Sequence, residues 1–460
     1  MPKAVGGFRP GTAAGSKSKT MGRRRKRLPE QPGQVTIEKL THDGRGIGYL
    51  EGKAVFVDGA LPGETVLFRY TQVRRDYACG RTLEISHPSP DRMTAPCNAY
   101  GNCGGCSLQH VSHEAQIRIK QELLIEQLRR IARIESFDLW PPLTGPQWGY
   151  RHKARLGVRF LRNKGRVLVG FREKASGKIA EIDNCLILHP TVGERIPALA
   201  QLVDGLSIRD QIPQIEVALG DNRRALVFRT LTHPDSNDQA ALTNFARRFG
   251  FDIYLQPKGP DSLECLYPEE PGLLCYQLPE NVNLWFGPLE FTQVNPTINR
   301  KMIERVLATL DPRPGESILD LYCGIGNFAL PLASKASQVT GVEGNPHAVT
   351  RGRYNAEANG IQNAVFHCAD LSATLDDLPW AQRAYDKILL DPARSGALEV
   401  MEWIPRWNPG KVVYVSCNPS TLARDLGVLV HEHGFRLLRA GIMDMFPHTA
   451  HVESIALLER

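Results

Sequence analysis

A cysteine and a glutamate near the end of the 460-residue chain have the residue types of a nucleophile and a base. Cys417 follows the apolar residues 412–415 and precedes an Asn-Pro pair, which predicts a turn at the end of a strand. A thiolate is a strong nucleophile, although a thiol with a pKa of about 8.5 is only slightly ionised at pH 7. Glu453 precedes a terminal apolar segment and could act as a general base, a role for which His451 is the alternative.

Methyl transfer to carbon 5 of a pyrimidine ring is a reaction that needs both groups. That carbon becomes nucleophilic when a thiolate adds to carbon 6 and forms an enolate, whereas methylation of an oxygen or an amine needs no thiolate. A base must then remove the proton from carbon 5, so that the enzyme leaves by elimination. We therefore predict Cys417 as the nucleophile and Glu453 as the base.

Four other cysteines predict a metal site. Cys97, Cys103 and Cys106 lie close together, and the glycines between the last two let thiolates converge on one centre. Cys185 is predicted as the fourth ligand, at the end of a strand hairpin that could return to the other three. Zinc and a four-iron cluster both suit this set, and the spacing does not choose between them.

A glycine-rich turn interrupts residues 317–332, which otherwise predict a buried strand followed by a helix. Gly324 and Gly326 allow a sharp turn and a close approach to a ligand. The spacing matches the dinucleotide fingerprint, but Asp320 would repel a pyrophosphate and attract the sulfonium and ammonium groups of S-adenosylmethionine. Glu343, after the next predicted strand, could bind the ribose hydroxyls of either ligand.

Later apolar segments also end at polar residues. Asp370 follows residues 364–368, and Asp391 follows residues 387–390. Because ligands of a parallel α/β sheet bind at the carboxyl ends of its strands, these carboxylates predict an adenosylmethionine site at one sheet edge. Asp370 is placed to reach the adenine amino group.

The first half of the chain predicts nucleic-acid binding. Residues 34–85 contain short alternating strands between glycine turns, which predict a small closed barrel. Residues 151–166 hold seven Lys or Arg and no acid, with apolar residues in alternation, which predicts a strand whose basic face positions a phosphate backbone. Residues 190–290 predict an α+β continuation of the same domain.

Composition indicates an ordinary soluble chain of two or three domains, with 42% hydrophobic and 23% charged residues. Neither an apolar signal segment nor an apolar run of 18 residues occurs, so we expect a cytoplasmic protein without a membrane partner. Residues 1–30 hold nine Lys or Arg and one acid, which predicts a disordered basic tail or a phosphate-binding arm. No obligate protein partner is expected.

Several motifs resemble those of the RNA 5-methyluridine methyltransferase family. They are FTQVN at 291–295, DLYCGIGN at 320–327, DPAR at 391–394, SCNP at 416–419 and HVE at 451–453. THDGRG at 41–46 and DGALPGE at 58–64 resemble the TRAM domain, an OB-like module of RNA-modifying enzymes. The cysteine set together with this module resembles the branch that methylates large-subunit (23S) ribosomal RNA and holds a 4Fe-4S cluster. DPAR departs from the family pattern, in which a second proline is common.

The resemblance implies an α/β, Rossmann-like methyltransferase domain preceded by an OB-like TRAM barrel and an α+β iron-sulfur domain. We expect a basic tail over 1–27, the barrel over 28–88, the iron-sulfur and RNA-binding domain over 89–292 and the methyltransferase domain over 293–460. The family's cofactor-binding positions fall here on Gln293, Tyr322, Asn327, Glu343, Asp370 and Asp391. Its nucleophile and base fall on Cys417 and Glu453.

Two alternatives differ in class from a uridine methyltransferase. A cytosine carbon-5 methyltransferase also needs a thiolate, but a glutamate base near the terminus and the lack of a cysteine beside Asp391 argue against it. The other alternative is a non-catalytic RNA-binding or chaperone protein.

Overall fold

The computed structural model describes residues 28–460, so the predicted basic tail over 1–27 lies outside the described residues. Within 28–460, no helix is both long and apolar enough to cross a membrane. Three sheets of six, six and eight strands organise this part of the chain, together with one separate hairpin.

The first sheet is a barrel-like sheet with the strand order β1-β5-β6-β4-β3-β2. Its inward residues alternate along each strand and form a small apolar core that includes Val57, Val66 and Phe68. Gly48 lacks a side chain where β3 passes the backbone of Thr36, and this close approach brings β1 and β3 together. The strands are β1 Gly33–Thr36, β2 Lys39–Leu40, β3 Gly46–Leu50, β4 Lys53–Asp58, β5 Thr65–Val73 and β6 Tyr77–Ile85.

The middle of the chain forms a mixed sheet of order β13-β12-β11-β10-β8-β9, in which only β11 and β12 are parallel. Helices α3 and α4 share an apolar core with this sheet. The elements are α1 His113–Arg130, β7 Asp138–Leu139, β8 Lys153–Leu161, β9 Arg166–Gly170, α2 Pro190–Gly193, α3 Ile196–Asp204, β10 Gln214–Leu219, β11 Arg224–Arg229, α4 Ser236–Phe249, β12 Asp252–Gln256, β13 Glu264–Tyr267, β14 Leu274–Gln277 and β15 Asn283–Phe286.

The last sheet has the strand order β18-β17-β16-β19-β20-β22-β21-β7. Strands β16 to β20 are parallel, and β22 runs antiparallel between β20 and β21. The elements are α5 Pro296–Leu310, β16 Ser317–Leu321, α6 Ala329–Ala333, β17 Gln338–Glu343, α7 Pro346–Ala358, β18 Ala364–Cys368, β19 Lys387–Leu390, α8 Leu398–Met401, β20 Lys411–Ser416, α9 Pro419–His431, β21 Arg436–Met443 and β22 Glu453–Glu459.

Apolar cores cover both faces of this sheet. One core contains residues of α5, α6, α7 and the β14–β15 hairpin, and the other contains residues of α1, α8 and α9. Leu124 and Leu128 of α1 are fully buried there, and β7 pairs with β21. Thus two elements from before residue 292 pack directly on the C-terminal sheet, and they bring the middle of the chain close to its carboxyl edge.

Two helices of this sheet begin at Asn-Pro pairs. Asn295 caps α5 by accepting a hydrogen bond from the Ile298 amide, and Pro296 is the first helical residue. Asn418 caps α9 in the same way, with Pro419 as the first residue. Because Asn418 must leave helical geometry to cap, the chain turns immediately after β20, and Cys417 lies on that turn.

Candidate active site

Cys417 and Glu453 lie at neighbouring strand ends. Ser416, the last residue of β20, pairs with Ser454 of β22, so the next positions outward are Cys417 and Glu453. Cys417 is half-buried, whereas Glu453 is only 8% exposed. The fold therefore brings the two predicted chemical groups together across one pair of strands.

The electrostatic surroundings favour the neutral forms of the Cys417 thiol and the Glu453 carboxyl. Burial, followed by the charges of Glu453 and Asp391, raises the pKa of the Cys417 thiol to about 11. Burial and Asp391 raise the pKa of Glu453 to about 8, against the opposing effect of Arg394 and Lys120. The protein alone therefore does not supply a preformed thiolate at pH 7.

Arg394 is an exposed cation at the sheet edge that carries Cys417 and Glu453. Its carbonyl oxygen accepts hydrogen bonds from the Asn418 amide group at 3.0 Å and the Thr421 hydroxyl at 3.3 Å. Its guanidinium lies 3.4 Å from Nδ1 of His451. The loop after β19 is thus fastened to the start of α9, which places Arg394 beside the turn of Cys417.

The glycine loop follows β16 directly, as predicted. Tyr322, Gly324 and Gly326 all have positive φ angles, of 63°, 55° and 98°. The carboxylate of Glu343 accepts hydrogen bonds from the Gly324 amide at 3.2 Å and the Asn345 amide at 2.8 Å. Glu343 therefore fixes this loop from the neighbouring strand end.

Asp320, the carboxyl predicted to favour a cationic ligand, lies inside β16 just before the loop. It is 0% exposed, and neither carboxylate oxygen has a hydrogen-bond partner within the described part of the chain. Burial, Asp391 and Glu343 raise its pKa well above the ordinary value. Burial likewise raises the pKa of Asp391 to about 7. Asp320, Asp391 and Glu343 thus form a cluster of acids next to the glycine loop, and within the described residues the Asp320 carboxyl has no cationic partner.

The remaining predicted cofactor residues are spread along the same edge. Asn327 exchanges two hydrogen bonds with Asn299 of α5, at 2.8 and 3.0 Å, and accepts one from Tyr276 at 3.3 Å. Gln293 is half-buried just before α5. Asp370 is exposed after β18, and its bonds to the Ser372 hydroxyl and amide lower its pKa.

The four predicted metal ligands line one small cavity, which brings Cys185 beside Cys97, Cys103 and Cys106. The predicted strand hairpin ending at Cys185 is wrong, because residues 171–185 form isolated bridges and turns rather than strands. Burial raises the pKa of Cys106 to about 12, and the three neighbouring thiols add to this effect. Over residues 28–460 no group of His, Cys, Asp or Glu has the close geometry of a metal site.

A cavity of about 1000 Å³ separates the barrel from the middle sheet. Its walls carry six cations and three acids, and they include the loop of Cys106. Arg159 and Arg172 have no acidic partner within 4 Å among residues 28–460, whereas Arg155 pairs with Glu216 at 3.0 Å. The basic strip is therefore partly neutralised by β10, which residues 151–166 alone could not show. The cations are Arg45, Arg81, Arg155, Arg159, Arg172 and Lys174.

Three contributors to the site were not predicted. Asn299 fixes Asn327, Lys120 lies near Glu453, and Arg394 lies near both chemical groups. Arg394 stands in a recognised motif and could have been chosen from it. Lys120 and Asn299 lie on helices whose polar residues give no signal until packing is known.

Comparisons with known proteins agree with this geometry. Residues 286–460 match the family described as tRNA (Uracil-5-)-methyltransferase, and residues 32–83 match the TRAM domain. The fold is similar to that of the Pyrococcus abyssi tRNA (uracil-54, C5)-methyltransferase in complex with S-adenosyl-L-homocysteine. The TM-score is 0.71 at 27% identity, over 93% of this chain and 100% of that one. The last sheet therefore has the fold of the adenosylmethionine-dependent methyltransferases.

Sequence relatives narrow this class to a family. The chain is 57% identical over 438 residues to the 23S rRNA (uracil(1939)-C(5))-methyltransferase RlmD of Methylococcus capsulatus, covering 95% of this chain and 99% of that protein. It is 50% identical over 441 residues to the protein of the same name in Alkalilimnicola ehrlichii, covering 96% and 99%. The chain belongs to the RNA uracil-C5-methyltransferase family, and the resemblances to that family and to the TRAM domain are confirmed.

Proposed function

We propose that this protein methylates carbon 5 of a uridine in 23S ribosomal RNA, with S-adenosylmethionine as the methyl donor. The observation that carries the proposal is the register that sets Cys417 and Glu453 at adjacent strand ends, on the sheet that also brings Asp320, Asp391 and Glu343 close together. The near full-length similarity to two 23S rRNA methyltransferases supports this choice of substrate.

The cluster of acids next to the glycine loop suits a methyl donor that carries positive charge. Asp320 is buried without a hydrogen-bond partner in the described chain, and Asp391 and Glu343 add negative charge beside it. A bound sulfonium and ammonium offset this charge, whereas a pyrophosphate adds to it. The proposed cofactor residues are Gln293, Tyr322, Asn327, Glu343, Asp370 and Asp391.

The proposed reaction uses Cys417 and Glu453 in succession. The Cys417 sulfur adds to carbon 6 of the uracil, and the electron pair moves to carbon 5. Carbon 5 would then take the methyl group of bound adenosylmethionine; the methyl–sulfonium bond would break and its electron pair would remain on the leaving S-adenosylhomocysteine. The Glu453 carboxylate then takes the carbon-5 proton, the double bond returns and the sulfur leaves carbon 6. Because burial and neighbouring acids disfavour the thiolate, the positive donor beside Asp391 favours the first step.

RNA is proposed to lie across the barrel and the middle sheet. The cavity between them carries cations without acidic partners, such as Arg159 and Arg172, which suit a phosphate backbone. Reaching carbon 5 requires the target base to leave any stack and enter the sheet edge. In this division, residues 28–88 and 89–292 hold RNA and residues 293–460 carry the chemistry.

We also propose that Cys97, Cys103, Cys106 and Cys185 hold a 4Fe-4S cluster. The support is their convergence on one cavity despite about 80 residues of sequence between the first three and the last. Four thiolates and no placed histidine fit such a cluster, and zinc is the alternative with the same ligands. The cluster would tie the loop of residues 97–106 to that of Cys185.

Incubation of 23S rRNA fragments with labelled adenosylmethionine, followed by mass analysis of nucleosides, tests the function. Labelled 5-methyluridine at one position is expected. Labelled 5-methylcytidine would instead indicate the cytosine enzyme. Stable RNA binding without any labelled nucleoside would indicate a binding protein, and either result would overturn the proposal.

A further inference from the structure

The connection between β21 and β22, residues 444–452, leads directly into Glu453; we call it the base loop. Its first residue, Asp444, is 0% exposed and forms an ion pair with Lys120 of α1 at 2.7 Å. Lys120 is 1% exposed and also donates a hydrogen bond to the carbonyl oxygen of Phe446 at 3.0 Å. His113, from the first turn of α1, lies 2.9 Å from the other oxygen of Asp444.

A second anchor holds the middle of the base loop. The buried Gln116 side chain, one helical turn before Lys120, accepts a hydrogen bond from the His448 amide at 2.8 Å. The amides of Ser107 and Leu108 both donate to the His448 carbonyl oxygen at 2.9 Å. The Ala450 amide donates to the Ser107 hydroxyl at 2.9 Å. The anchors come from the segment that follows Cys106, far from the base loop in sequence.

A buried lysine is not needed for packing alone. Replacing a buried ion pair by apolar residues is often neutral or stabilising, so the Lys120–Asp444 pair is weak evidence of a stability role. The position of Lys120 points to another role, because Lys120 contacts two residues of the base loop and its charge also acts on Glu453.

We propose that Lys120 is a positioning residue for the base: together with Gln116 it fixes the base loop, orients Glu453 toward carbon 5, and supplies the buried cation that favours the Glu453 carboxylate. This inference rests on the proposed function. In the step concerned, the proton moves from carbon 5 to a Glu453 oxygen. The carbon-hydrogen pair forms the double bond to carbon 6, and the carbon-sulfur pair leaves on Cys417.

The charges facing Glu453 define the expected pH dependence. Asp391 and Arg394 face it from the loop after β19, Cys417 from the turn after β20, and Lys120 from α1. Asp444 of the base loop pairs with Lys120 and lies 2.9 Å from His113, and His451 lies 3.4 Å from Arg394, so these groups face the cations rather than Glu453 itself. Without Lys120, the pKa of Glu453 rises, so its basic form requires a more alkaline solution. The activity of a Lys120→Met variant should therefore recover partly as the pH is raised.

The test follows RNA labelled with tritium at carbon 5 of uridine. In Lys120→Met, tritium release should fall on the order of 10-fold while the covalent protein–RNA complex accumulates. Lys120→Arg should restore release and the native pH profile. Lys335→Met, on an exposed lysine after α6, is the matched control and should behave as the native protein.

Two results would overturn the inference. One is native tritium release in Lys120→Met; the other is an equal loss of release and of covalent complex, which would place the defect before the base step. If Lys120→Met does not fold, Gln116→Met decides, since it removes the acceptor of the His448 amide and leaves the ion pair of Lys120 with Asp444 in place. Accumulated complex in that variant supports the inference, and native behaviour contradicts it.

A parallel Glu453→Gln variant separates this inference from the proposed function. If Glu453→Gln accumulates no complex, the base assignment itself is wrong. If Glu453→Gln accumulates complex and the Lys120 and Gln116 variants do not, only the positioning role of α1 is wrong.

Discussion

At the scale of residues, the site is a set of buried acids with few cations. Asp320, Asp391 and Glu453 all have raised pKa values, because burial favours the neutral form of each and the charge of Asp391 adds to this effect at Asp320 and Glu453. Such groups remain in a fold when a ligand or a reaction makes use of them. A cationic donor and a proton-accepting step account for this arrangement.

The pKa of Glu453 predicts a pH dependence for the last step. Glu453 must be anionic to take the carbon-5 proton, and its pKa is raised to about 8. Decay of a preformed covalent complex should therefore be roughly 100-fold slower at pH 6 than at pH 9. Rapid-quench measurement after a pH jump checks this, with Glu453→Gln as the control that decays slowly throughout. Decay independent of pH in the native protein would contradict the assignment.

Sequence reasoning found the reactive residue types but not their surroundings. Cys417 and Glu453 could be selected from their chemistry and their places beside apolar segments. Asp320 was expected to face the ligand, yet it lies within a strand whose residues are buried on both sides. Lys120 could not be found, because its pairing with Asp444 joins positions 324 residues apart.

At the scale of elements, strand ends determine where the chemistry lies. Four of the five motifs that were singled out after residue 290 follow strands or precede helices of the last sheet, and the fifth, HVE, leads into β22. The loop after β16 depends most on backbone geometry, since three of its residues have positive φ angles. A change in this loop should affect both stability and cofactor binding.

Gly326→Ala should destabilise the protein more than Gly360→Ala does. Both glycines have positive φ, of 98° and 68°, but a Cβ at Gly326 would meet Leu330 at 2.9 Å, whereas one at Gly360 meets nothing within 4 Å. We expect losses of about 3 and about 1 kcal/mol, from backbone strain plus overpacking and from strain alone. Urea unfolding measures both losses. Cofactor affinity should fall about tenfold only in Gly326→Ala, and equal losses in the two variants would contradict this explanation.

Element prediction succeeded where periodicity and caps agree. The Asn-Pro pair at 418–419 indicated the turn that carries Cys417, and the structure has that turn between β20 and α9. The surroundings of Cys185 were not, because its loop is shaped by bridges such as Cys103 with Glu173 rather than by local propensity. The pairing of Arg155 with an acid of the neighbouring strand, Glu216, could likewise not be predicted from the sequence of one strand.

At the scale of the whole molecule, three parts of the chain converge on one side of the protein. The cysteine loop contributes Cys106 to the wall of the basic cavity, and the residues after it hold the base loop. The basic cavity, the cysteine site and the sheet edge are thus connected by direct contacts. Two predictions belong to this scale.

Arg159→Ala should weaken RNA binding without changing the cofactor affinity. Arg159 is exposed in the cavity without an acidic partner in the described chain, so it can neutralise one phosphate. The slope of log affinity against log salt should fall by about 1. Filter binding at several salt concentrations checks this, with Arg436→Ala of β21 as the control. An unchanged slope would show that the cavity does not contact RNA.

Protein purified without oxygen should contain about four iron atoms per chain and absorb visible light, as iron-sulfur proteins do. Cys185→Ala should lose the iron, because a fourth thiolate is removed from the cavity. Cys79→Ala should keep it, since Cys79 lies in the neighbouring basic cavity and not among the four. Metal analysis that finds zinc in a colourless protein would support the alternative metal.

The identity of the side chain bonded to the RNA tests the central claim most directly. RNA with 5-fluorouridine at the target position cannot lose a proton from carbon 5, so the covalent complex should persist. Digestion and mass spectrometry should find the nucleotide on the peptide of Cys417, and none in Cys417→Ala, which should still bind cofactor. Cys368→Ala, on an exposed cysteine, should form the complex normally. A nucleotide attached to another residue, or no attachment in a protein that still methylates uridine, would contradict the account.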